Sequence, residues 1–147
     1  LSSDRIKDYV FDLERMLAFD GNTAPYLQYA HARICSIFRK AVEAGGVHTD
    51  KLPTAALRVE EPAERALALE LLGFEAAVRS VDETLQPHRL CGYLFSLAGA
   101  FASFYDACPV MRAEGAVRDS RLLLCRLTAR TLKHGLALLG IESPDRM

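Results

Sequence analysis

Three residues near the start of the chain carry side chains that can do chemistry together: Tyr26, Tyr29 and Arg33. On a helix, Tyr29 and Arg33 share one face, because residues four apart are neighbours. A phenol ring beside a guanidinium can receive an unstacked base and its phosphate. The same spacing also fits a tyrosine half in a core with a surface arginine over it, and spacing alone favours that packing reading. Phe101, Phe104 and Tyr105 gather just before Cys108-Pro109. Phe101 and Phe104 fit a core stripe, and Tyr105, one step off, faces the rim. Arg126, Arg130 and Lys133 share a helical face by i, i+4, i+7 spacing. A solvated face is the default for such a row, and contact with an RNA backbone is the alternative.

Catalytic signatures are missing. There is no glycine-rich phosphate loop, no H-E-x-x-H and no G-x-S-x-G. The carboxylate pairs Glu60-Glu61 and Asp82-Glu83 fall at helix edges on polar faces, where they serve as solvated or helix-start charges. Cys35, Cys91, Cys108 and Cys125 form no C-x-x-C pair and lie in apolar helical patterns, which reads as buried free thiols in a reducing compartment. His31, His48, His88 and His134 are scattered without ligand spacing, so no metal site is expected.

These side chains need rigid elements to hold them. With 147 residues, half of them hydrophobic and a quarter charged, the chain suits one globular domain with a sizeable core. No apolar run is long enough for a membrane span, so no membrane partner is expected. The chain opens on Leu1 and without a signal-type segment, as a piece of a longer cytoplasmic protein would. Net charge is only −1, yet residues 41–109 carry ten acids against five bases while residues 110–147 carry seven bases against four acids. A polyanionic partner is therefore expected at the two ends of the sequence rather than at its middle.

Helical periodicity dominates and no segment alternates convincingly with period two. Ile6, Tyr9, Val10, Leu13 and Leu17 are in helical register over residues 1–19, with a break near Phe11-Asp12. Asp20-Gly21-Asn22 is a turn, and Thr23 with Pro25 starts a helix to about Ala44 that stops at Gly45-Gly46. The core stripe of that helix is Leu27, Ala30, Ile34, Ile37, Phe38 and Ala41. Residues 45–60 read as a loop with a short helix around 54–57. Pro62 opens a helix through Leu72 that can run on past Gly73 to Leu85. Another follows from Pro87 to Cys108-Pro109, and the last runs from about Val117 to Leu139, stopped by Gly140. The fold class is all-α, a helical bundle of four to five long helices.

A longer phrase adds a family likeness. Asp20-Gly-Asn-Thr-Ala-Pro-Tyr-Leu-Gln-Tyr-Ala-His-Ala-Arg33 resembles the junction at which arginyl-tRNA synthetases pass from the catalytic domain to the C-terminal, DALR-type anticodon-binding domain. Asp8 to Met16 resembles the stretch that leads into it. Tyr93 to Tyr105 is similar to a later helix of that family, and Ser120 to Arg130, Leu138 to Ile141 and the closing Arg146-Met147 are similar to its final helix and tail.

The resemblance implies residues 1–20 as the end of the catalytic-domain linker region and residues 21–147 as the anticodon-binding domain. It implies the ATP-dependent joining of arginine to tRNA-Arg, with ATP and magnesium used by a catalytic domain outside this chain. The class I signatures H-x-G-H and K-M-S-K-S are absent, so no catalytic residue and no cofactor is expected in the chain itself. The implied partners are the anticodon stem-loop of tRNA-Arg and the protein's own catalytic domain, in a monomer. By position, Tyr29 and Arg33 match an anticodon-facing pair, Tyr105 an aromatic that meets the central cytosine, and Met147 a residue packed near the same base. Gly21, Asn22 and Thr23 match a loop that adjusts on docking. Where some members place a Trp one turn after Tyr105, this chain has Pro109. Two other classes remain open: a helical protein-interaction module with a basic face, and the equivalent domain of another class I synthetase such as the cysteinyl enzyme.

Overall fold

The computed structural model describes residues 3, 4, 6–8, 10–19, 21–43 and 57–147. Among them the secondary structure is helical throughout: α1 (Leu13–Leu17), α2 (Ala24–Glu43), α3 (Pro62–Leu72), α4 (Phe74–Thr84), α5 (His88–Ala107) and α6 (Gly115–Leu138). The stop at Gly45-Gly46, Asp20, Tyr9 and most of the short helix expected around 54–57 lie outside the described residues.

The bundle is α2, α3, α5 and α6, with α4 laid on α5. Its core is the stripe expected on α2 (Leu27, Ala30, Ile34, Ile37 and Ala41 buried, Phe38 half-buried) against Leu94, Leu97, Phe101 and Phe104 of α5 and Leu124, Leu132 and Leu136 of α6. Helices α5 and α6 come together at Gly135, where an added Cβ would stand 2.5 Å from Leu94 Cδ2. A glycine is what allows that approach.

One expectation is corrected. Among the described residues of 1–19, the helical register forms only the five-residue α1. Ile6, Val10, Phe11, Leu13, Leu17 and Phe19 are all exposed, Val10 at 90%. A short amphipathic segment gains its stability from packing its apolar face, and here the face meets no core. The helix opened by Pro62 ends at Leu72 as expected, and past Gly73 the chain goes on as a separate helix to Thr84. Gly73 N–H donates to Glu70 O (3.0 Å), and the Tyr93 hydroxyl donates to the same carbonyl (2.9 Å). The Tyr93 ring crosses so close that a Cβ on Gly73 would lie 3.3 Å from it. Phe74 then turns inward between Tyr93 and His134. The final helix also starts two residues earlier than expected, at Gly115.

One buried polar group joins α3 to α6. Glu64 is 1% exposed, accepts N–H bonds from Glu60 (2.8 Å) and Glu61 (3.1 Å), and meets Arg121 Nε at 2.7 Å. Burial alone would raise the Glu64 carboxyl, but the Arg121 hydrogen bond, the two amides and the Arg121 charge outweigh it and hold it below its ordinary range. Nearby, Ser120 Oγ bridges the Arg58 backbone N–H (2.9 Å) and C=O (2.8 Å), fixing the strand of chain that enters α3.

Candidate nucleic-acid interface

The turn before α2 sets up the first part of the site. Gly21 has φ +68°, the left-handed region that glycine enters without strain. Thr23 Oγ1 accepts the Tyr26 N–H (3.2 Å), capping α2, and donates to Ala18 O (2.6 Å), which ties the preceding residues to the helix start. That tie brings Phe19 edge-on to Tyr29, centroids 6.5 Å apart. Gly21, Asn22 and Thr23 thus form the turn between an exposed apolar lead-in and the ring of Tyr29, itself 47% exposed.

Arg33 and Tyr105 come from opposite ends of the sequence and meet. The Arg33 guanidinium carbon lies 4.9 Å from the centroid of the Tyr105 ring. Tyr105 is half-buried at the end of α5 and stacks on Phe101 at 6.0 Å and 26°. An aromatic contact, Tyr26 on Phe95 at 5.5 Å, joins α2 and α5 about two to three turns away. The result is a row of Phe19, Tyr29, Arg33 and Tyr105: two exposed rings and one half-buried ring with a planar cation among them, backed by the core. Two ring faces and a guanidinium are the parts from which sequence-tolerant platforms for single-stranded bases are built.

Met147 stands elsewhere. The tail is seated on a different face of α2, where Gln28 Nε2 donates to Glu142 O (2.7 Å), His31 Nδ1 meets Pro144 O (3.2 Å) and Arg39 donates to Asp145 O (2.8 Å). Positions 28, 31, 35 and 39 make one helical face, and 29 and 33 another. Met147 is 60% exposed beyond that seam.

The basic face of α6 gains company from the tail. Arg126 and Arg130 line an open groove with a cavity of about 720 Å³, together with Phe38 and Arg39 of α2 and Asp145 and Arg146 of the tail. Four guanidinium groups face one carboxylate there. Lys133 borders the neighbouring hollow beside Gly140 to Pro144. Spacing on α6 pointed to Arg126, Arg130 and Lys133. It could not show that Arg39 and Arg146, distant in sequence, complete the groove.

Sequence reading also missed a cluster. His31 and Cys35 are four residues apart on α2, and the tail carries Asp145 to them, so that one ligand-type atom from each lies within 4.8 Å of the others. Cys35 is half-buried, unlike Cys91, Cys108 and Cys125, which are buried as expected; all four are free thiols. Burial and then the Asp145 carboxylate push the Cys35 thiol up, and burial pushes Cys125 up to about 12. The H-x-x-x-C spacing was the available signal. Among the described residues this is the one such group, and its nitrogen, sulfur and oxygen donors do not suit magnesium, which takes oxygen alone.

The model of the DALR anticodon-binding domain matches residues 27–147. The chain belongs to the DALR anticodon-binding domain family. Its relatives include the arginine–tRNA ligase of Frankia casuarinae, 56% identical over all 147 residues and 24% of that protein, and that of Vibrio parahaemolyticus, 55% identical over the whole chain and 25% of that protein. The chain spans about a quarter of the length of the curated relatives it matches. Among solved structures, the arginyl-tRNA synthetase of Plasmodium falciparum superposes with a TM-score of 0.89 at 31% identity, covering 99% of this chain and 25% of that one. The Thermus thermophilus arginyl-tRNA synthetase gives 0.78 at 43% identity, covering 89% and 22%. The DALR match begins one helical turn inside α2 and takes in Tyr29, Arg33, Tyr105, the α6 arginines and the tail. No helix among the described residues is long and apolar enough to cross a membrane.

Proposed function

We propose that this DALR domain is the anticodon-recognising part of an arginine–tRNA ligase, holding the anticodon stem-loop of tRNA-Arg while a catalytic domain outside this chain uses ATP and magnesium to charge the acceptor end. The observation that carries the reading is the meeting of Arg33 and Tyr105 on one exposed face next to Tyr29 and Phe19. Unpaired anticodon bases stack on the rings, each stack contributing about 1–3 kcal/mol. Arg33 offers a charge to a phosphate or a plane to a base. The groove of Arg39, Arg126, Arg130 and Arg146 receives backbone phosphates of the stem, Lys133 extending it. Met147 reaches the loop from the tail side.

In this reading residues 1–20 belong with the linker from the catalytic domain, and 21–147 form the recognition unit. The exposed apolar row from Ile6 to Phe19 supports this division, since a row of that kind is the sort of surface a neighbouring domain covers. The protein works as a cytoplasmic monomer. The closeness to arginine–tRNA ligases over the whole chain favours this family over the cysteinyl enzyme and over a protein-interaction module.

The test uses two RNA stem-loops, one with the tRNA-Arg anticodon and one with uracil at the central position. Binding of the first is expected to be tighter, with the difference persisting at raised salt. Equal, salt-driven binding to both would overturn base readout by this domain.

A further inference from the structure

We propose that His31, Cys35 and Asp145 form a three-ligand zinc site that locks the tail onto α2, with a fourth position open to the arginine groove.

The donors sit where a tetrahedral ion needs them. Zinc bonds of about 2.3 Å to sulfur and about 2.0–2.2 Å to nitrogen and oxygen put neighbouring ligand atoms about 3.5 Å apart. Cys35 Sγ lies 3.8 Å from His31 Nε2 and 3.7 Å from Asp145 Oδ1. Small side-chain movements close those edges onto an ion. The three atoms are also the mixed nitrogen, sulfur and oxygen set that selects zinc over calcium or magnesium.

One nitrogen of His31 already has the outer partner that a metal ligand uses. Its Nδ1 is 3.2 Å from Pro144 O. A carbonyl only accepts, so Nδ1 carries the proton in that bond and Nε2 is the nitrogen left with a lone pair; Cys35 Sγ stands beside the ring, 3.9 Å from Nδ1 and 3.8 Å from Nε2, so metal binding brings the sulfur round to Nε2. A backbone carbonyl on the far nitrogen is the usual outer partner of a metal-bound histidine. His31 is 2% exposed, so its ring is held by packing. The position of Asp145 is fixed in turn, because Arg39 donates to its backbone oxygen at 2.8 Å.

Zn²⁺ brings two positive charges and displaces the single proton of Cys35, so occupancy adds one positive charge to a groove lined by four arginines, while the thiolate and the carboxylate leave the filled site itself neutral. The Cys35 proton leaves to solvent as the metal–sulfur bond forms. Cys35 and Asp145 both line the groove, so water completes the coordination from that side. The site stands independently of the RNA reading.

The experiment strips the chain with chelator and returns Zn²⁺, or Co²⁺ as a coloured substitute. One equivalent is expected to bind, with tetrahedral cobalt bands in the visible and a sulfur-to-cobalt charge-transfer band in the near ultraviolet. Cys35→Ser removes the charge-transfer band. Asp145→Asn, at an exposed position where the fold is not at risk, weakens zinc binding by at least about tenfold, the scale on which even outer partners of a metal act. Zinc slows release of Met147 by carboxypeptidase. Less than one equivalent bound, a charge-transfer band that survives Cys35→Ser, an affinity indifferent to Asp145→Asn, or Met147 release unaffected by zinc overturns the proposal.

Discussion

Replacing Tyr105 by leucine separates what the ring does for the fold from what it does for RNA. Leucine keeps aliphatic packing against Phe101 but removes the π face under Arg33. The lost cation–π contact, at an exposed guanidinium, is worth about 0.5–1 kcal/mol. In a domain of this size that lowers the melting temperature by only about 1–4 °C. Loss of one base stack costs about 1–3 kcal/mol, which is about 5- to 150-fold in affinity. The contact exists before and during the reaction alike, so the full-length protein shows it as a raised KM for tRNA with kcat little changed. Arg33→Gln gives a second reading. If Arg33 holds a phosphate, the slope of log affinity against log salt falls by about 0.7 for that contact on a single strand. Charging kinetics at two salt concentrations, with thermal melts of both variants, make the measurement. A large loss of stability with unchanged KM for tRNA would refute the reasoning and return Tyr105 to a packing role.

Four further outcomes are expected. Arg121→Ala leaves the Glu64 carboxylate buried without its charge partner, a loss of about 3–5 kcal/mol, seen as a fall of about 6–20 °C in a melting curve. Because the folded-state pKa of Glu64 is depressed, its contribution is complete above its unfolded value of 4.5 and is lost as pH falls through the lower folded value, so acid titration of Glu64→Gln loses part of the steepness that the native chain shows below 4.5. Gly135→Ala forces a methyl into the fully buried Leu94 side chain and costs about 1–3 kcal/mol, read by denaturant titration. Thr23→Ala removes the α2 cap and the tie to Ala18, costing about 1 kcal/mol and loosening Phe19 from Tyr29, which tyrosine fluorescence or amide exchange at Tyr26 detects.

The sequence was most legible where period and chemistry agreed. The α2 stripe, the Thr23 cap and the turn at Gly21 follow from residue type alone, and the structure has them where they were expected. Residues 1–19 show the limit. Their period is helical, but a helix needs something to pack on, and periodicity does not say whether it is there. Gly73 shows another: the break depends on a tyrosine twenty residues later reaching back to Glu70 O. At the site, spacing placed Tyr29 with Arg33 and left Tyr105 at a rim. Only the crossing of α2 and α5 puts Arg33 over Tyr105. The His31–Cys35 pair was present in the sequence at ligand spacing, yet its third member comes from the tail, which carries no periodic signal at all.

The tail's seat on α2 has a consequence for how the chain is made. Gln28 and Glu142 are 114 residues apart. At a synthesis rate of about 5–20 residues per second, Glu142 leaves the ribosome about 6–23 s after Gln28. For more than half of that interval the apolar stripe of α2 lacks both α5 and α6, and His31 lacks its carbonyl to the end of it. Contacts of such long sequence separation close late and slow folding. A release factor that acts a few codons early would yield a chain with every helix intact and its clasp missing.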